Sequence, residues 1–231
     1  MEHASTYIAD RIDEDGFLVL SEGLTPEGHA YLVNLVESMD VPPRSHRRGG
    51  IRDIFRRVPA LIDVTHWKVV RWFVDEALSE NAFAVRGIIF DKTPESNWHV
   101  AWHQDTTIAV KAKHEVEGFG PWSVKEGIDH VRPPADVLDR MLTVRIHLDE
   151  TWLDNGPLRV IPGSHRNGIM AKRPSADHVA SCWVVEGGIV FMKPLLWHES
   201  NKATEPSHRR VIHIEFADIE LPDPLEWHER W

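Results

Sequence analysis

Three short stretches of this chain carry side chains at spacings that bind a metal. His103-Gln104-Asp105 and His147-Leu148-Asp149 are both His-x-Asp, and on a strand, where side chains alternate with period two, each pair projects from one face. A chain with 15 histidines produces about one such pair by chance, so at most one of the two is expected to be catalytic. Their surroundings separate them. His103 and Asp105 stand beside the 111–138 stretch, rich in glycine and proline, which reads as a long loop able to cover a site. His147 and Asp149 end a strand and lead into a turn, where an acid commonly bonds locally. A third ligand, His198, lies in Pro194-Leu195-Leu196-Trp197-His198-Glu199-Ser200. Two imidazoles and one carboxylate leave three positions open on an octahedral metal, an arrangement suited to non-haem Fe(II) chemistry with oxygen. Cys182 is the only cysteine, which excludes an intrachain disulfide and a thiolate cluster.

These groups need strands to hold them, and the patterning supplies strands. Gly16–Leu20 reads as a short buried strand. Thr25-Pro26-Glu27 gives a cap, a proline at the first helical position and an early acid, and Leu32, Leu35, Val36 and Met39 follow at helical spacing. A helix over 26–39 is therefore expected, ended by Val41-Pro42-Pro43. A second helix is expected over 65–79. From about residue 82 the character changes. Phe83–Asp91 and Trp98–Val110 are strand-like, and Leu142, Val144, Ile146 and Leu148 alternate with Thr143, Arg145, His147 and Asp149. Further strands are expected at 158–161, 189–192 and 209–216, separated by Asp154-Asn155-Gly156 and Pro162-Gly163-Ser164 turns. Helices first and many short strands after predict one α+β domain over 1–231, helical to about 80, with a β-sandwich or barrel core over about 82–220.

Trp102-His103-Gln104-Asp105, Asn155-Gly156-Pro157-Leu158-Arg159-Val160-Ile161-Pro162-Gly163-Ser164-His165 and His198-Glu199-Ser200-Asn201, followed by Arg209, together resemble the phytanoyl-CoA dioxygenase family. The resemblance extends over nearly the whole chain. It implies a double-stranded β-helix (jelly-roll) core with flanking helices, and Fe(II) with 2-oxoglutarate as cosubstrate and O2. It makes His103, Asp105 and His198 the iron ligands. It places Arg209, eleven residues after the distal histidine, against the far carboxylate of 2-oxoglutarate, and Ser200 beside it. A guanidinium suits that task, since it binds a carboxylate bidentately and stays charged. On a strand, Arg209 shares a face with His213 and Glu215, whereas Arg210 lies with Ile212, Ile214 and Phe216. Arg52 matches a basic residue upstream of the core that reaches the cosubstrate. Arg145 stands where the family carries an aromatic contact, so three partners are open to it: 2-oxoglutarate, an acidic substrate, or an acid such as Asp149. The implied reaction hydroxylates an unactivated C–H bond while 2-oxoglutarate becomes succinate and CO2. In related halogenases a small residue replaces the carboxylate, so Asp105 points to hydroxylation.

Composition bounds the partners. Lys+Arg 26 against Asp+Glu 36 gives −10 at pH 7, which disfavours broad binding to nucleic acid or an anionic membrane. No apolar run approaches a membrane span and the N-terminus carries no signal-like pattern, so a reducing, cytoplasmic setting is expected. Arg44, His46, Arg47, Arg48, Arg52, Arg56 and Arg57 form a basic island around Gly49-Gly50. It is either a solvated loop or a face toward an anionic ligand, and a carrier-bound acyl group such as a CoA thioester falls in that class. Most of the ten tryptophans are expected as core and loop anchors, with Trp98 and Trp122 the candidates to line a substrate pocket. Lys92, His99 and His165 have no single reading. Two other functions fit the same metal residues. One is a metal-binding jelly roll without oxygenase activity, the other a zinc hydrolase with an activated water. Arg209 discriminates, because a dicarboxylate requires it and hydrolysis does not.

Overall fold

The computed structural model describes residues 2–39 and 50–231; Val41-Pro42-Pro43 and the basic residues Arg44, His46, Arg47 and Arg48 lie outside the described residues. Helix α1 (Glu2–Asp15) leads through Gly16, at φ 80, into β1 (Phe17–Leu20). Helix α2 (Pro26–Glu37) begins at the expected signal. The Thr25 side chain accepts from the Gly28 N–H at 3.2 Å, and Glu27 sits in the first turn, where an acid complements the helix dipole. Strand β2 (Ile51–Arg52) and the single turn α3 (Ile54–Arg57) follow, too short to leave a periodic signature. A 3-10 segment over Pro59–His66 precedes α4 (Lys68–Ala77).

Next come β3 (Phe83–Lys92), β4 (Val100–His103) and β5 (Ile108–Val110). The single strand expected over 98–110 is thus two. The chain leaves the first after His103 because side-chain and backbone bonds redirect it. The Asp105 N–H donates to the Pro194 carbonyl at 2.9 Å, and Gln104 Nε2 donates to the carbonyls of Gly168 and Leu195 at 2.8 and 2.7 Å. The 111–138 stretch is not the continuous loop its composition suggests. It holds the hairpin β6 (Trp122–Lys125) and β7 (Ile128–Val131), then α5 (Ala135–Asp139). Glu126 and Gly127 form its two-residue turn with φ 52 and φ 82, the positive-φ geometry that matches strand twist.

The remaining strands are β8 (Met141–His147), β9 (Leu158–Val160), β10 (Ala180–Cys182), β11 (Ile189–Met192), β12 (His198–Ser200) and β13 (Arg209–Ala217). A six-stranded sheet runs β1-β11-β8-β13-β3-β2, a four-stranded sheet β10-β9-β12-β4, and a small sheet β5-β7-β6. All their strand pairings are antiparallel. From β8 onward the chain alternates between the six-stranded and four-stranded sheets in the order six, four, four, six, four, six. That interleaving is a double-stranded β-helix, and the fold is α+β with the helices outside the large sheet.

The period-two pattern explains the layering. Leu142, Val144, Ile146, Ile212, Ile214 and Phe216 face outward and bury against Ile12, Leu32, Val70, Phe73 and Val74 of the helices, with Phe73 and Phe191 stacked at 4.4 Å. Such burial is worth about 1.5–3 kcal/mol per large side chain. The polar alternates therefore point inward, between the two sheets, and β8 is buried on both faces. No helix among the described residues is long and apolar enough to cross a membrane.

Candidate active site

The two sheets meet at a pair of histidines. In the four-stranded sheet His198 on β12 lies directly opposite His103 on β4, and their rings sit 4.2 Å apart, tilted by 52°. The bend after β4 brings Asp105 under both. His103 Nε2 lies 3.6 Å from one carboxylate oxygen and His198 Nε2 3.6 Å from the other. One donor atom from each residue falls within 4.8 Å of the others, and this is the only such cluster among the described residues. The tautomers are set from behind. His103 Nδ1 donates to the Ala101 carbonyl and His198 Nδ1 to the Leu196 carbonyl, both at 2.8 Å, which leaves each Nε2 lone pair aimed at the shared space. Burial draws His198 down to about 4, so its ring is neutral and ready to ligate. Burial works against the Asp105 charge, yet the two imidazoles hold its carboxyl well below the usual range. Gln104, on the opposite face of the same segment, accepts the Met170 N–H at 2.8 Å in addition to its two donated bonds. It anchors the backbone that carries both neighbours.

A cavity of about 240 Å³ opens beside the triad, and Arg209, Lys92, Ser200, Arg145 and Trp98 line it. Arg209 on β13 and Lys92 on β3 are register partners, so both project inward at one level. Lys92 Nζ donates to Ser200 Oγ at 2.8 Å, and Arg209 Nη1 donates to the same hydroxyl at 3.2 Å and to the Gly156 carbonyl. Ser200 Oγ in turn donates to the Gly156 carbonyl at 2.9 Å. Among the described residues, Arg209, Lys92 and Arg145 form no ion pair with a carboxylate, and the Nε of Arg209 and of Arg145 is buried without a partner. Burial, then the charges of Arg209 and Arg145, press Lys92 down to about 7. Three buried cations with no ion-paired carboxylate among the described residues could hold an anion.

Gly156 closes this end. It adopts φ 71, and an added Cβ would lie 2.2 Å from the Asn201 carbonyl oxygen. Gly156→Ala is therefore expected to cost about 2 kcal/mol or more, read as a lower urea midpoint. It should also displace the carbonyl that orients Arg209.

The floor of the cavity is a polar chain across the large sheet. Arg145 Nη1 donates to His213 Nδ1 at 3.0 Å, and His213 Nε2 lies 3.2 Å from Glu215, which also receives Arg86. The guanidinium of Arg145 also stands 5.6 Å over the Phe90 ring. Asp149 is not its partner. Asp149 instead accepts three bonds from Arg210, at 2.7, 2.9 and 2.7 Å, and Arg210 Nη1 reaches Glu37 on α2 at 2.9 Å. Arg210 thus faces the helices and clasps α2 to the sheet. His147 bonds Thr151 Oγ1 at 2.9 Å, so of the second His-x-Asp pair the histidine bonds locally, while the acid, expected to do the same, holds a distant strand.

Arg52 lines the cavity from β2, with Nη1 3.4 Å from Glu126. Trp98 lines it and lies 5.8 Å from Lys92 Nζ. Trp122 does not line it; the ring packs on the apolar cluster under β5–β7, with Lys113 over its face at 5.7 Å. Lys92, His213 and the Arg86–Glu215 pair carry more of the site than the sequence assigned them. Their signal was present: Arg86 and Lys92 share one face of a strand with Ile88 and Phe90.

A family model described as Phytanoyl-CoA dioxygenase (PhyH) matches residues 12–211. No curated protein sequence matches the chain. Three solved structures illustrate the likeness in fold. The epimerase SnoN in complex with Fe3+, alpha ketoglutarate and nogalamycin RO superposes with a TM-score of 0.68 at 14% identity, over 94% of this chain and 85% of that one. EctD from S. alaskensis with 2-oxoglutarate and 5-hydroxyectoine gives 0.66 at 18%, over 90% and 74%. The non-heme monooxygenase ThoJ gives 0.64 at 17%, over 96% and 80%. Their chemistry varies while the shared architecture persists.

Proposed function

Because the chain belongs to the phytanoyl-CoA dioxygenase family, we propose that it is a non-haem Fe(II)/2-oxoglutarate-dependent dioxygenase that hydroxylates an unactivated C–H bond of a small molecule. One observation carries the reading: a His103/Asp105/His198 donor set faces the same cavity as buried cations that form no ion pair with a carboxylate among the described residues. A hydrolase needs the first feature and has no use for the second.

The residues fit both groups. Two imidazoles and an ionised carboxylate suit Fe(II) and leave positions for cosubstrate and O2. Arg209, Lys92 and Ser200 offer the charge and the hydroxyl that a far carboxylate takes, and Arg145 lines the same cavity. When bound, iron with 2-oxoglutarate and O2 supplies the oxidising power, yielding succinate, CO2 and the hydroxylated product. The chain contributes placement. The Ala101 and Leu196 carbonyls fix the two rings, Gln104 holds the Asp105 backbone, and the His213–Glu215–Arg86 chain fixes Arg145. Trp98 and the apolar side chains of Ile88, Val100 and Leu158 keep water from the carbon that reacts.

The test is an anaerobic titration of the apo-protein with Fe(II) and then 2-oxoglutarate, watching for the weak visible charge-transfer band of the chelate. Its appearance supports the reading; iron binding without the band favours the hydrolase or the binding module.

A pH dependence follows from Lys92. In the empty site its ammonium, near 7, is lost as pH rises through neutrality, and a bound dianion restores it by taking up a proton. Arg209 and Arg145, which face it, remain charged across that range. The dissociation constant for 2-oxoglutarate is expected to rise about fivefold or more between pH 6.5 and 8.5. Lys92→Met should bind more weakly at pH 6.5 and show a flatter profile, measured by the same band.

A further inference from the structure

Six basic side chains line the cavity, Arg52, Arg86, Lys92, Lys125, Arg145 and Arg209, against three carboxylates, Asp105, Glu199 and Glu215. A divalent metal and a dianionic cosubstrate cancel one another. The filled site therefore keeps an excess of three positive charges, or two when Glu126 at the rim is counted. Cations so placed need a counterion.

The excess has a location. Lys92 and Arg209 stand at the cosubstrate end. Arg52 pairs with Ile88, four residues back along β3 from Lys92, about 13 Å of strand and further than a five-carbon dianion extends. Arg86 lies two residues beyond. Arg145, on the far side of the same rung through His213, is turned toward Arg209 and Lys92, whose charges it opposes. Around Arg86 lie Arg52 and Lys125, close enough that burial and the mutual charge of the three depress Lys125. Arg86 is held by Glu215. Arg52 has only Glu126, at 3.4 Å with that carboxylate 42% exposed, and its Nε is buried without a partner. Lys125 Nζ bonds only a hydroxyl, Thr107 Oγ1, at 3.0 Å. Glu126 is held in the left-handed region at φ 52, a conformation few such residues adopt. Its carboxylate occupies Arg52 from the same hairpin tip that carries Lys125.

We propose that Arg52 and Lys125 form a second anion subsite, which receives the carboxylate of the substrate in place of the Glu126 side chain. The substrate is then a small carboxylic acid whose carbon skeleton lies against Ile88, Trp98 and Val100, with the metal between its carboxylate and the cosubstrate. This departs from the cosubstrate role the sequence resemblance implies for Arg52, and it rests on the oxygenase reading above.

The experiment uses protein loaded anaerobically with Fe(II) and 2-oxoglutarate, with the charge-transfer band recorded first. Short-chain and aromatic monocarboxylates, their primary amides and the matching phosphate monoesters are then titrated, with binding read by ligand-observed NMR and proximity to iron by paramagnetic broadening. Expected are carboxylates that bind at least tenfold more tightly than their amides and are broadened. That preference should fall below threefold in Lys125→Met and persist in Lys125→Arg. It should increase severalfold in Glu126→Gln, which frees Arg52. The 2-oxoglutarate affinity of Lys125→Met should stay within twofold of the parent protein. Equal binding of acids and amides, a preference for phosphate esters, or a preference indifferent to Lys125 overturns the subsite while the band leaves the oxygenase reading standing. Absence of the band overturns both.

Discussion

Arg209→Leu is expected to raise the dissociation constant for 2-oxoglutarate by about 30-fold to several thousand-fold, measured by anaerobic titration of the charge-transfer band. Truncating one partner of a buried, hydrogen-bonded charge pair costs about 2–5 kcal/mol, and Arg209 is 4% exposed and forms no ion pair with a carboxylate among the described residues. Leucine keeps the strand and most of the volume, so the loss reports charge and geometry. Arg210→Ala is the control, one residue away on the opposite face. It removes the clasp to Asp149 and Glu37 and should lower stability by about 1–2 kcal/mol, seen in urea unfolding, with cosubstrate affinity changed less than about twofold. If Arg210→Ala weakened 2-oxoglutarate more than Arg209→Leu did, the cosubstrate site would have to be rebuilt around the outer face of β13.

His103→Ala is expected to weaken Fe(II) binding by more than about 100-fold and abolish iron-dependent turnover. Loss of an outer partner alone commonly costs 10–100-fold, and here a donor atom itself disappears. His147→Ala should leave iron affinity within a few-fold of the parent. Its imidazole is engaged with Thr151, and burial, reinforced by Arg145 and Arg209, holds it well below its ordinary pKa. The buried hole should instead lower stability by about 1–3 kcal/mol. Equal loss of iron from both variants, by equilibrium dialysis, would contradict the assignment of the metal to the first pair.

Much of this was legible in the chain because it rests on local rules. Thr25-Pro26-Glu27 marks a helix start wherever it occurs, and α2 begins there. Period-two alternation announced β8 and β13 and assigned Arg209 and Arg210 to opposite faces, which is how they lie. The 111–138 stretch misled because glycines and prolines are scattered along it. The hairpin within it is specified by only two residues at positive φ and four on either side, a signal shorter than the surrounding loop. The split of 98–110 was equally hidden, since the bonds that bend the chain after His103 come from Pro194, Gly168 and Leu195, far away in sequence.

The sequence by itself determined which residue types alternate on each strand, and hence that Arg209 and His213 must share a face; His103 and Asp105 meet through the bend after β4 instead. It did not determine which face is inside. In a half-exposed sheet the apolar side would line the interior and the polar side would meet water. Here the helices cover the apolar side, so the polar side is turned into the jelly roll, and Lys92, Arg145 and Arg209 become buried cations. Only the tertiary structure decided that, because the choice depends on what packs against each face, and no window of sequence contains its own packing partner.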